Sequence, residues 1–143
     1  MKILFVCTGN TCRSPMAEAL ARKIAAEKGI GASFDSAGIY ASYGDAASRE
    51  AVEIMETKYG LSLAEHRSKP LTAERVDEAD LIVGITENHA LLIYQLFGQR
   101  EKIVSMPKDV GDPYGSSLAV YSSCAEKLEE GIRSLFERGI FHD

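Results

Sequence analysis

Ile3-Leu4-Phe5-Val6-Cys7-Thr8-Gly9-Asn10-Thr11-Cys12-Arg13-Ser14-Pro15-Met16 decides how the rest of the chain reads. Four consecutive apolar residues without polar alternation are the pattern of a strand buried on both faces in a parallel sheet. A polar, Gly-containing loop follows, and Ser14-Pro15 has the form of a helix start, with Ser14 expected at the N-cap and Pro15 at the first helical position. Met16, Leu20 and Ile24 then recur on one face until Gly29 supplies a stop. Strand, loop and helix in immediate succession predict a βα unit whose loop lies beyond the carboxyl end of its strand.

Outward from that unit the same alternation continues. Ser33–Ala37 predicts a second strand, Ala46–Lys58 a helix closed by Gly60, and Leu81–Ile85 another buried strand. A helix over Glu87–Phe97, a short strand at Lys102–Ser105, a turn-rich segment at Pro107–Gly115 and a long helix over Leu118–Arg138 complete the chain. Alternating strands and helices imply right-handed crossovers and a doubly wound α/β fold with a parallel sheet of about four strands flanked by helices. The chain has 143 residues, 45% of them apolar, and no repeat or linker divides it, so residues 1–143 are expected to form one domain.

Composition narrows the chemistry. A formal charge of −5 with no basic run argues against nucleic acid and anionic membranes as partners, so an anionic substrate must be held by local donors. No apolar run approaches the roughly 20 residues a membrane span needs, and the first apolar run is too short for a signal peptide. A cytoplasmic location is expected. Three cysteines without zinc-type spacing read as free thiols, and no metal or other cofactor is expected.

The loop itself suits phosphate. Successive backbone N–H groups that curl into a helix N-terminus form an anion nest, to which the helix dipole adds roughly half a positive charge. Thr8, Gly9, Asn10, Thr11, Cys12, Arg13 and Ser14 are thus candidate phosphate-binding residues. Arg13 offers a planar fork for two phosphate oxygens, and Cys7 sits where these fields converge, which favours its thiolate as a nucleophile, with Ser14 as a hydrogen-bond donor. A Cys and an Arg separated by five residues is a weak signal alone. Its position directly after a buried strand makes it specific. Thiolate attack on phosphorus also needs a proton donor for the leaving group. Asp112, in Gly111-Asp112-Pro113-Tyr114-Gly115, is the candidate, with Tyr114 as a pocket wall; Asp109 lies close by, and an Asp before Pro equally reads as turn chemistry.

Cys7 through Glu18 resembles the signature of the low-molecular-weight protein tyrosine phosphatase family, and Asp112-Pro113-Tyr114 resembles its late general-acid motif. Asp35-Ser36-Ala37-Gly38 and His66-Arg67-Ser68-Lys69 also fall where that family has related segments. The resemblance implies a metal-free, two-step hydrolysis of a phosphorylated protein side chain through a phosphocysteine on Cys7. Arg13 would stabilise the phosphoryl group, and Asp112 would act first as acid and then as base. It further implies a network of Asn10, Ser36 and His66 beneath the loop, although His66 alone reads as a solvated histidine. Cys12 occupies the position of a cysteine that can form a reversible disulfide with the nucleophile; Cys124 reads as core. Thr11 stands where tyrosine-specific members carry a bulky aliphatic residue and resembles the protein arginine phosphatase branch. A single aromatic after Asp112 leans the same way. Phosphoarginine is therefore the favoured substrate and phosphotyrosine the alternative. Arsenate reduction would need relay cysteines that Thr86–Gln99 lacks. A non-catalytic phosphate-binding module would not need Cys7 and Asp112 together.

Overall fold

A computed structural model describes residues 1–143. Strand β1 (Lys2–Cys7) lies at the centre of a four-stranded sheet, between β2 (Ser33–Gly38) and β3 (Leu81–Gly84), and β4 (Ile103–Ser105) pairs outside β3. All pairings are parallel, in the order β2-β1-β3-β4. Five α-helices cover the sheet: α1 (Arg13–Lys28), α2 (Arg49–Tyr59), α3 (Ala73–Glu78), α4 (Glu87–Phe97) and α5 (Leu118–Glu137).

The apolar run of β1 is explained by burial on both sides. Ile3, Phe5 and Cys7 face a large core with Met16, Leu20 and Ile24 of α1 and Leu128, Ile132 and Leu135 of α5. Leu4 and Val6 face a smaller core with Val76 of α3 and Ile93 of α4. Phe5, Phe34, Phe136 and Phe141 form an aromatic cluster in the larger core, with Phe5 and Phe141 edge to face at 5.9 Å. No helix is long and apolar enough to cross a membrane.

Three local expectations change. Cys12, not Ser14, is the N-cap of α1, and no side chain caps it; Ser14 lies inside the first turn because its hydroxyl is used elsewhere. Helix α2 starts at Arg49 with Ser48 as its cap rather than at Ala46, which forms an isolated bridge to Arg67. Helix α3 is additional, capped by Thr72. Gly29 closes α1 in the left-handed region at φ 68°, as its position predicts.

Candidate active site

The parallel sheet places the end of β1 and the N-terminus of α1 at the same edge, and residues 8–12 turn between them. Asn10 takes a left-handed φ of 58°, a conformation Asn tolerates better than most residues. The turn is held from below. Asn10 Nδ2 donates to Ser14 Oγ (2.8 Å) and to Ser36 Oγ (3.0 Å), its Oδ1 accepts from Lys69 N–H (3.0 Å), and its carbonyl accepts from His66 Nε2–H (2.7 Å). Gly38 packs against the same turn: a Cβ there would lie 2.6 Å from the Thr8 carbonyl and 2.9 Å from Asn10 N.

These contacts have a direction. Ser36 Oγ lies 2.6 Å from the Glu18 carboxylate, which can only accept in its ionised form, so the Ser36 proton goes there. Ser36 must then accept from Asn10. Ser14 Oγ likewise accepts from Asn10, leaving its own proton for Cys7 Sγ at 2.9 Å. The chain from Glu18 to Ser14 therefore ends in a donor aimed at the sulfur. Cys7 is buried at 3% exposure, and every buried side-chain nitrogen and oxygen has a partner.

Arg13 is also buried, at 6% exposure. Its Nη1 donates to the Val110 carbonyl (2.9 Å), its Nη2 reaches Thr8 Oγ1 (3.5 Å) and lies 4.0 Å from Asp112 Oδ2. One guanidinium thus joins the first loop to the segment carrying Asp112. Asp112 keeps its side chain 55% exposed while its Oδ1 accepts from Tyr114 N–H (3.0 Å), which fixes the turn. A cleft of about 210 Å³ is lined by Cys7, Thr8, Gly9, Asn10, Thr11, Cys12, Arg13, Asp112 and Tyr114. A larger cleft of about 440 Å³ between Pro107–Val110 and α5 contains neither a thiol nor an arginine. No group of three or more His, Cys, Asp or Glu side chains converges to hold a metal ion.

All three cysteines are free. Cys12 Sγ contacts Ser48 Oγ (3.4 Å) and Tyr121 OH (3.3 Å). Burial and the Cys12 contact push the Tyr121 hydroxyl above its usual range, so it remains a donor. Cys124 is buried, and burial pushes its thiol up to about 12.

The structure thus brings Cys7–Arg13, Asp112 and Tyr114 around one cleft and sets Ser14, Ser36 and His66 beneath the loop. Sequence reading missed Glu18, whose spacing four residues from Ser14 and Arg22 was a usable signal for a partner on the same helix face. It also missed His89, at the third position of α4, where its ring meets Thr8 Oγ1 at 3.0 Å.

The low molecular weight phosphotyrosine protein phosphatase family model matches residues 2–139. A protein-arginine-phosphatase of Bacillus subtilis (strain 168) is 42% identical over 94% of this chain and 94% of its own length. The low molecular weight protein-tyrosine-phosphatase PtpB of Staphylococcus epidermidis is 35% identical, over 90% of this chain and 91% of its own. Among solved structures, the YwlE arginine phosphatase, in a cysteine-to-serine mutant with a phosphorylated active-site serine, superimposes with a TM-score of 0.91. It is 40% identical and covers 96% of this chain and 95% of that chain.

Proposed function

Because this chain belongs to the low molecular weight phosphotyrosine protein phosphatase family and is an enzyme of that family, we propose that it hydrolyses phosphorylated protein side chains with Cys7 as nucleophile and phosphoarginine as favoured substrate. The observation that carries this reading is the convergence of Cys7 Sγ, the Ser14 hydroxyl at 2.9 Å and the Arg13 guanidinium at the mouth of a helix.

The thiolate attacks phosphorus in line. A sulfur–phosphorus bond forms, and the bond from phosphorus to the side-chain nitrogen, or oxygen, breaks. Asp112 gives its proton to the departing nitrogen or oxygen, so that atom does not leave as an anion. Arg13 and the loop N–H groups hold the equatorial oxygens, whose charge is greatest in the transition state. Asp112, now ionised, takes a proton from water as that water attacks phosphorus; inorganic phosphate leaves and the thiolate is restored. Asn10, Ser36 and His66 hold the loop in shape, and Tyr114 walls the entrance. Cys12, the neighbouring thiol, protects an oxidised Cys7 by disulfide formation.

Thr11 supports phosphoarginine, because it lines the cleft with a hydroxyl where an aliphatic side chain would pack an aromatic ring. Two relatives named protein-arginine-phosphatases, at 42% and 36% identity, support the same choice. The phosphotyrosine reading is favoured by relatives named protein-tyrosine-phosphatases. The deciding experiment measures kcat/KM of the wild type and Thr11→Ile on phosphoarginine and phosphotyrosine peptides. Thr11→Ile is expected to shift the ratio toward phosphotyrosine by roughly tenfold, the scale of one pocket methyl or hydroxyl; an unchanged ratio counts against the assignment.

A further inference from the structure

His89 contacts the active-site loop yet has no part in the reaction described above. It is 5% exposed and occupies the third position of α4, where its backbone N–H donates to Thr86 Oγ1 (3.1 Å). In return, Thr86 N–H donates to His89 Nδ1 (3.2 Å), and the Thr86 hydroxyl lies 3.0 Å from the same nitrogen. This is a reciprocal capping box in which an imidazole replaces the usual Glu or Gln.

The cap determines the tautomer. A backbone N–H can only donate, so Nδ1 accepts and the ring proton is on Nε2. Nε2 lies 3.0 Å from Thr8 Oγ1 and therefore donates to it. Arg13 Nη2, 3.5 Å from the same oxygen, is a second donor. A hydroxyl has two acceptor sites and one proton. Both acceptor sites of Thr8 are met by protein donors, so its proton is free for an acceptor in the cleft that Thr8 helps to line. The first turn of α4 is itself tied to the segment that carries Asp112, because Glu87 N–H donates to Asp109 Oδ1 (2.9 Å).

Resting on the phosphatase reading, we infer that His89 is a positioning residue: its Nε2–H holds the Thr8 hydroxyl as a donor to a phosphoryl oxygen of the substrate. The ring acts through Thr8 and need not touch the substrate. Burial, and next the Arg13 guanidinium, lower the ring's pKa to about 4 against the opposing pull of Asp109 and Asp112, so the neutral tautomer persists at neutral pH.

The test is a double-mutant cycle read by competitive inhibition of para-nitrophenyl phosphate turnover with inorganic phosphate at neutral pH. His89→Met keeps length but removes the donor, and it should weaken phosphate roughly 10- to 100-fold, the scale of one hydrogen bond to a charged group. In a Thr8→Val background the same substitution should weaken phosphate less than about threefold further, because the two act through one hydroxyl. His89→Gln, whose amide retains a donor near the Nε2 position, should recover most of the affinity lost in His89→Met. Thermal melting of the four proteins of the cycle reports the capping contribution of His89, which should be equal in both backgrounds, and His89→Gln is melted beside them. Equal weakening of phosphate by His89→Met in both backgrounds, or none in either, overturns the inference; so does failure of His89→Gln to recover affinity while it melts like the wild type. If His89→Met does not fold, the comparison of His89→Gln with Thr8→Val decides, since the inference requires phosphate binding in the first to exceed that in the second. A wild type that neither turns over the ester nor binds phosphate overturns the phosphatase reading itself, a result distinct from failed coupling.

Discussion

Replacing Ser14 with Ala should remove the donor that the buried network aims at Cys7. The contact is 2.9 Å long, and its direction follows from Asn10 donating to the same oxygen at 2.8 Å. A hydrogen bond to a charged acceptor contributes about 1.5 to 3 kcal/mol, which converts to a loss of roughly 10- to 100-fold in kcat/KM near neutral pH. A second effect is structural. Asn10 is fully buried, and the N–H it gives to Ser14 loses its acceptor while the other still reaches Ser36. An unpaired buried donor costs about 1 to 3 kcal/mol, measurable as a lower urea midpoint with an unchanged slope. The two effects separate by assay: turnover of para-nitrophenyl phosphate at neutral pH for the first, equilibrium unfolding for the second. A variant that loses stability as expected yet keeps kcat/KM within threefold of wild type at neutral pH would refute the reasoning that the network works on the sulfur.

Gly38→Ala should displace the loop, since the added Cβ meets the Thr8 carbonyl at 2.6 Å and Ala41 Cβ at 2.8 Å; we expect a loss of at least tenfold in kcat/KM with about 1 to 3 kcal/mol of stability, by turnover and urea unfolding. His89 should make stability fall on acidification. Its folded pKa of about 4 lies below the ordinary histidine value of 6.5, so the stabilisation is complete above 6.5 and is lost as pH falls toward 4. The loss is on the order of 2 kcal/mol, since the ring is only partly removed from solvent screening, and urea midpoints of wild type and His89→Gln across that window should diverge. Cys12→Ser should leave Cys7 without a disulfide partner, so peroxide inactivation followed by dithiothreitol should restore less activity than in the wild type.

The strand, loop and helix from Ile3 to Gly29 were legible because local signals agree with the global fold: an apolar run buried on both faces, a Gly-containing turn, and a glycine at the helix end. Where local signals had competing uses, reading failed. Ser14-Pro15 has the form of a cap, yet the Ser14 hydroxyl is worth more as the link between Asn10 and Cys7, so the helix starts two residues earlier and its N-cap, Cys12, makes no side-chain capping bond. Ala46–Ser48 has helical composition but is drawn into contacts with Arg67 and with the Thr11 carbonyl. Helix α3, with six residues, is too short to show a period. Gathering Cys7, Arg13 and Asp112 into one cleft depends on the Val110 carbonyl meeting Arg13 across 97 residues, a backbone contact that no side-chain pattern announces. His89 was hidden for a similar reason, because its role depends on the tautomer set by Thr86 and on the partner supplied by a distant loop.

Covalent catalysis by Cys7 is tested most directly by acid-quenching Asp112→Asn during turnover of para-nitrophenyl phosphate, whose leaving group departs without a proton, and mapping the protein by mass spectrometry. Loss of the base slows water attack, so a phosphoryl group should accumulate on the peptide containing Cys7 and should be absent when Cys7 is replaced by Ala. Product formation at an undiminished rate in Cys7→Ala, or a phosphoryl group on any other residue, would contradict the account.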